Sequence, residues 1–249
     1  MPVLVTLPNI VKQAPGAFKT IAVTAFALLV VMGTAWQAHA QAVKTAYPSV
    51  APLDQYLMER NAEIALARSA APASIAKDAQ VMVLGRKGYE TAVKGTNGFV
   101  CMVERSWTAG LDDPDSWNPK LRGPICFNPP AARSRLPLTI RKSDLVSASL
   151  SKAQMFAAIK AAFDNKELPA LESGAMWYMM SKHGYLNDRH GRWHPHLMFF
   201  APLTEPAAWG ANMAESPLLG FKVPEDRLTL YLLPVAKWSD GTAAPMNEP

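Results

Sequence analysis

The chain carries two cysteines, and no other feature restricts its fold as much as their positions. Cys101 lies inside the apolar run Phe99–Arg105 (FVCMVER), which reads as a strand buried on both faces and central in its sheet. Cys126 follows a segment, 106–124 (SWTAGLDDPDSWNPKLRGP), that has three prolines and no hydrophobic period. A disulfide between Cys101 and Cys126 would tie the far end of that loop back to the strand, and loop closure would stabilise the fold by about 3–4 kcal/mol. A redox pair would need C-x-x-C spacing, and a zinc site would need further ligands close in sequence; neither is present here.

A structural disulfide belongs to an oxidising compartment, and the N-terminus supplies a route to one. Lys12 and Lys19 precede the apolar run Ile21–Met32, and Ala38-His39-Ala40 follows a short polar stretch. A basic start, a short apolar core and a small-residue exit are the parts of a secretory signal peptide. The expected division is therefore 1–40 as signal peptide, cleaved after Ala40, and 41–249 as one exported domain. An uncleaved anchor is the alternative, but the run falls short of the ~20 apolar residues a spanning helix needs. No Arg-Arg pair precedes it and no cysteine lies near the exit, so neither folded export nor a lipid-modified terminus is expected. The expected location is periplasmic or secreted, with the membrane met only in transit.

Composition is that of a globular chain, 49% hydrophobic and 18% charged. The formal charge of +5 comes with no long Lys/Arg block, which argues against nucleic acid as a partner. About two hundred residues are enough to bury one full core.

Along the exported part, Leu53 to about Arg68 has helical periodicity, and Pro72 ends it or opens a short helix. Three strands should follow: Gln80–Leu84, Tyr89–Lys94 and Phe99–Arg105. Asn97-Gly98 is a strong hairpin signal because both central residues of a type I′ turn need positive φ, so the three read as an antiparallel meander. Ile125–Asn128 reads as a short edge segment. Ser151 and Gln154 form a capping box ahead of a helix reaching about Asp164. Segments 175–183 and 193–200 read as two strands around a polar turn at 187–191, and Leu228–Leu233 as a last strand. The expected class is α+β, a single domain of mainly antiparallel sheet with a few packed helices. The segment Gly95–Trp107 (GTNGFVCMVERSW), with the proline-rich stretch and its cysteine, resembles exported bacterial proteins that carry no assigned activity. That resemblance brings no catalytic residues with it.

The densest cluster of functional side chains is at 183–196, which holds His183, His190, His194 and His196. His194 and His196 on one strand would point to the same face. If Asn187 paired with Arg192, His183 would face His196 and complete a three-histidine site for a divalent metal such as zinc, with Glu104 or Asp188 orienting a bound water. A five-residue loop would turn His183 away. The plainer reading is turn histidines, with His190 beside Gly191, and Pro195 marking an edge strand.

Trp107 and Trp117 on the 106–124 loop are a second candidate, a stacking platform for a ligand. Asp112, Asp113 and Asp115 lack calcium-loop spacing and read as turn chemistry. The stripe Met176–Met180 with Met198, Phe199 and Phe200 reads as core, or as the wall of a hydrophobic pocket. Three function classes follow. One is a non-catalytic module binding a small molecule or an envelope component. The alternative is a metal-dependent enzyme, possibly a hydrolase, on the 183–196 hairpin. The last is a structural or assembly protein of the cell envelope.

Overall fold

A computed structural model describes residues 46–245 apart from 109, 112 and 190. The signal peptide expected over 1–40 lies outside the described residues, as do Asp112 and His190. The described residues belong to one compact unit. The class is the expected α+β.

Among the described residues one sheet holds eight strands: β1 Gln80–Gly85, β2 Gly88–Val93, β3 Val100–Glu104, β4 Gly123–Phe127, β5 Met176–Met179, β6 His196–Pro202, β7 Leu219–Val223 and β8 Leu228–Pro234. Their order is β2-β1-β3-β4-β5-β6-β8-β7, and only the β1–β3 pair is parallel. The helices are α1 Arg60–Arg68, α2 Ala73–Ala76, α3 Pro129–Ser134, α4 Leu136–Ser147 and α5 Lys152–Asp164.

The expected meander is corrected here. β1 and β2 form a hairpin, but β3 crosses to the far side of β1 and pairs with it in parallel, Val81 beside Cys101. β2 carries Glu90 and Thr91 exposed and takes the sheet edge, whereas β1 and β3 are apolar almost throughout and take interior places. Asn97-Gly98 serves this crossover. Asn97 Oδ1 accepts from Phe99 N, its Nδ2 donates to Ile75 O, and Gly98 sits at φ +76°. β4, expected at an edge, is instead interior, between β3 and β5. Its five residues are all buried.

The disulfide is present. Cys101 and Cys126 stand directly opposite each other in the β3–β4 ladder, and both are fully buried. They lie on the face covered by α1 and the chain after it, where Ala67, Ala70, Ala71 and Ala76 pack against Val81 and Val103. Small side chains there let the helical segment approach the sheet closely.

The helix expected over 53–68 is broken. Residues Leu53–Gln55 form a 3₁₀ turn, and α1 begins at Arg60 because the Glu59 side chain accepts from Asn61 N and Ala62 N. The capping box before α5 is formed, with Ser151 N donating to Gln154 Oε1 at 2.9 Å. α3 and α4 had no counterpart among the expected elements, and their prolines are Pro129, Pro130 and Pro137. Each occupies the first turn of a helix, where a missing N–H costs nothing. Asn128 caps α3 by accepting from Ala131 N at 3.0 Å.

Candidate functional site

Side chains alternate across β3, so Val100, Met102 and Glu104 share the face opposite the disulfide. Neighbouring strands add Ile125 and Phe127, then Trp177 and Met179, then Met198 and Phe200. Residues of α3 and α4, Ala131 and Leu136, pack into the same cluster. Farther along the sheet, over β6, β8 and β7, this face carries a cleft of about 400 Å³. Met179, Trp193, Met198, Leu219 and Leu232 supply apolar wall, while Glu104, Arg192, His194 and His196 supply polar groups. A narrower recess of about 150 Å³ shares Glu104 and Met198 with the cleft, and Thr108, Arg135, Trp177 and Asp226 line it. The Met and aromatic stripe is thus both core and cleft wall: Trp177 and Met179 are core, and Met198 reaches the cleft.

Glu104 ends β3 opposite Gly123. Loss of water around its carboxyl pushes the pKa up to about 7, against the opposing pull of a hydrogen bond from Thr108 and of the Lys142 and Arg135 charges. The Thr108 hydroxyl stands 2.8 Å from Oε2 of Glu104 and 2.7 Å from the Arg105 carbonyl. A protonated Glu104 can therefore donate to Thr108, which donates onward to Arg105. Such a carboxyl exchanges a proton near neutral pH.

Beside it lies a buried charge cluster. Arg135 Nη2 is 3.0 Å and Lys142 Nζ is 3.2 Å from Oδ2 of Asp226, so two cations share one acid. The two cations hold the Asp226 carboxyl below the usual carboxylate range although burial alone would raise it. Arg135 also lies over the Phe200 ring, 5.1 Å from its centre.

His196 opens β6. Its Nδ1 lies 2.7 Å from the His194 carbonyl, which can only accept, so Nδ1 carries the proton and Nε2 the lone pair. Nε2 is buried and has no hydrogen-bond partner among the described residues. Burial lowers the imidazole pKa to about 4, leaving the ring neutral at neutral pH. The Trp193 ring stands edge-on, 6.2 Å away, and packs over Gly184, where a Cβ would lie 2.4 Å from the indole.

The three-histidine arrangement is not formed. β5 stops at Met179, which is the residue facing His196 across the ladder. The chain then leaves β6, and Tyr185 bridges to Arg122 instead. This draws His183 away from the register that a metal site required, and leaves it exposed. Among the described residues, no group of three or more His, Cys, Asp or Glu is placed to hold a metal ion. Asp188 is exposed, accepts from Tyr47, Tyr185 and Lys120, and is not among the residues lining the cleft. Pro195 precedes a strand that is interior rather than at an edge.

The stacking platform is also corrected. Trp107 and Trp117 are 1% and 6% exposed and belong to the core cluster of Tyr56, Leu138 and Met155. Trp107 Nε1 donates to Ser143 Oγ at 3.0 Å, and the Tyr56 hydroxyl donates to the Trp117 carbonyl at 2.8 Å. The loop is therefore pinned to α4 and to the chain before α1, with its indoles turned inward. Asp113 is a turn acid that accepts from Asp115 N.

Arg135, Lys142 and Asp226 escaped the sequence reading because they come from distant segments and no local pattern joins them. Glu104 did carry a signal, since it falls on the same parity as Val100 and Met102 and breaks an apolar strand face. No family model, curated protein or solved structure matches the chain.

Proposed function

We propose that the chain is an exported, non-catalytic binding module that holds an apolar small molecule in the cleft over β5, β6, β8 and β7. The observation that carries this reading is the cleft itself. Its volume, about 400 Å³, lies in the range of small-molecule sites, and its apolar wall holds a few convergent polar groups. Export is supported by the buried disulfide and by the leader read from residues 1–40. No helix among the described residues is long and apolar enough to cross a membrane.

The test uses a neutral fluorescent probe, N-phenyl-1-naphthylamine, titrated into the purified protein. Saturable 1:1 binding is expected. Met198→Lys places a charge in the cleft wall and should abolish that binding while the circular dichroism spectrum is retained. No saturable binding, or binding indifferent to the substitution, would defeat the reading. Intact-mass measurement of exported protein tests the compartment, with Gln41 expected at the N-terminus.

A further inference from the structure

The way the Glu104 carboxyl is held decides what it offers to the cleft. The Thr108 hydroxyl has one proton and stands between two oxygens, the Arg105 carbonyl at 2.7 Å and Glu104 Oε2 at 2.8 Å. A backbone carbonyl can only accept. With an ionised Glu104, two acceptors would compete for that one proton. With the Glu104 proton on Oε2, both contacts are hydrogen bonds: Oε2 donates to Thr108, and Thr108 donates to Arg105. Loss of water around the carboxyl favours the same uncharged form. The remaining oxygen, Oε1, is then a carbonyl that accepts and cannot donate.

Oε1 has no hydrogen-bond partner among the described residues. It is also open. His196 Nε2 lacks a partner too but is closed off in the interior, whereas Oε1 belongs to a half-buried side chain and is not closed off. Glu104 lines both the cleft and the narrower recess beside it. An open acceptor in an apolar wall suits a ligand that brings one donor. Charge on that ligand is disfavoured. An ionised head would give up its water for a neutral carbonyl, and Arg192, exposed where it lines the cleft, would return little to an anion. A single neutral O–H gives up less and finds its acceptor.

We propose that the ligand is a neutral apolar alcohol, its hydroxyl donating to Glu104 Oε1 and its hydrocarbon lying along Met198, Leu219 and Leu232. This rests on the binding reading above and specifies the chemistry of that same site.

The experiment measures displacement of N-phenyl-1-naphthylamine from the full chain at pH 6 by decan-1-ol, its isomer 1-methoxynonane and decanoate, each below its solubility or aggregation limit. The ether keeps the oxygen and lacks the proton. The alcohol is expected to bind about fivefold more tightly than the ether, and decanoate more weakly than the alcohol. Glu104→Met removes the acceptor and should bring the alcohol-to-ether ratio down by about fivefold. Glu104→Gln keeps a carbonyl oxygen at that place and turns an amide N–H toward Thr108, so it should keep the wild-type ratio. Because each variant is read as a ratio, a general loss of cleft shape does not imitate the result. Four outcomes overturn the alcohol assignment and leave the apolar cleft standing: an ether that binds as well as the alcohol, a ratio indifferent to Glu104→Met, a ratio lost equally in Glu104→Gln, or decanoate bound most tightly, which would place the head group at Arg192. A probe that binds but yields to none of the three does the same. If the probe itself does not bind, the cleft reading falls and this one with it.

Discussion

Glu104 and Gly123 face each other across the β3–β4 ladder, and the glutamate side chain occupies the space a side chain at 123 would need. A Cβ on Gly123 would lie 2.5 Å from Glu104 Cγ and 2.9 Å from its Oε1. Contacts that short involve the root of the side chain, so a swing of the carboxyl tip cannot relieve them. Gly123→Ala is therefore expected to push Glu104 off its position at the cleft wall. Overpacking of this kind costs about 1–3 kcal/mol. Chemical denaturation should show that loss, and the probe titration should show weaker binding. An alanine variant with wild-type midpoint and wild-type binding would mean that Glu104 has room the geometry does not show.

Two titrating groups with opposite pH slopes, half-buried Glu104 and buried His196, line this one cleft. Glu104 has its pKa raised to about 7, so the folded state keeps a proton that the unfolded state gives up near 4.5. Its contribution is full below 4.5 and is lost as pH rises towards 7. His196 is lowered to about 4 from 6.5, so the unfolded state takes up a proton that the folded state refuses. Its contribution is full above 6.5 and is lost as pH falls towards 4. Each shift corresponds to about 3 kcal/mol, and the two slopes nearly cancel between pH 4.5 and 6.5. Wild-type stability should then be almost flat across that window. Glu104→Gln should lose stability on acidification, and His196→Gln should lose it on alkalinisation. Urea midpoints taken at half-unit pH intervals measure this directly. Parallel profiles for the two variants would show that neither group titrates as its surroundings require.

The class of the fold was open to sequence reading because its strongest signals are local. The β3 run and the Ser151–Gln154 box each depend on residues a few positions apart, the β5–β6 pairing joins strands that follow one another in the chain, and each formed. The β1–β3 crossover was hidden because Asn97-Gly98 satisfies a crossover as well as a hairpin, and only the polar face of β2 argues that β2 belongs at an edge. The site was less legible for a related reason. Histidines close in sequence drew attention to 183–196, yet β5 ends four residues before His183, and strand length is set by packing rather than by pattern. The groups that did converge, Glu104, Arg135, Asp226 and His196, come from four separate segments.

The Cys101–Cys126 bond makes a prediction that separates its native and denatured behaviour. Both sulfurs are fully buried beneath the small residues of α1 and its following turn. Mild reductant should leave the folded protein unreacted, whereas reductant in denaturant should release two thiols. Cys101→Ala with Cys126→Ala should cost about 3.5 kcal/mol through the unfolded state. Thiol titration and a denaturation curve check the two halves independently. Rapid reduction of the native protein would show that β3 and β4 open far more readily than an interior pair of strands should.

The deepest ion pair sits one residue beyond Glu104. Arg105 and Glu63 are 0% and 1% exposed in their side chains and 3.0 Å apart. Arg105 Nε also donates to the Tyr56 carbonyl at 2.8 Å, and Glu63 Oε1 accepts from Leu84 N at 3.1 Å. The pair thus joins α1, β1, the end of β3 and the chain before α1. Removing one partner leaves an uncompensated buried charge, and Glu63→Met or Arg105→Met alone should cost about 3–5 kcal/mol. Removing both leaves apolar groups in apolar surroundings, so the double variant should be destabilised by much less than the two single losses added together. Denaturation of all four proteins closes the cycle. Strict additivity would mean that the two charges do not feel each other. In that case the packing of their stems, and not the pairing of their charges, would be what fixes the end of β3 and with it the position of Glu104.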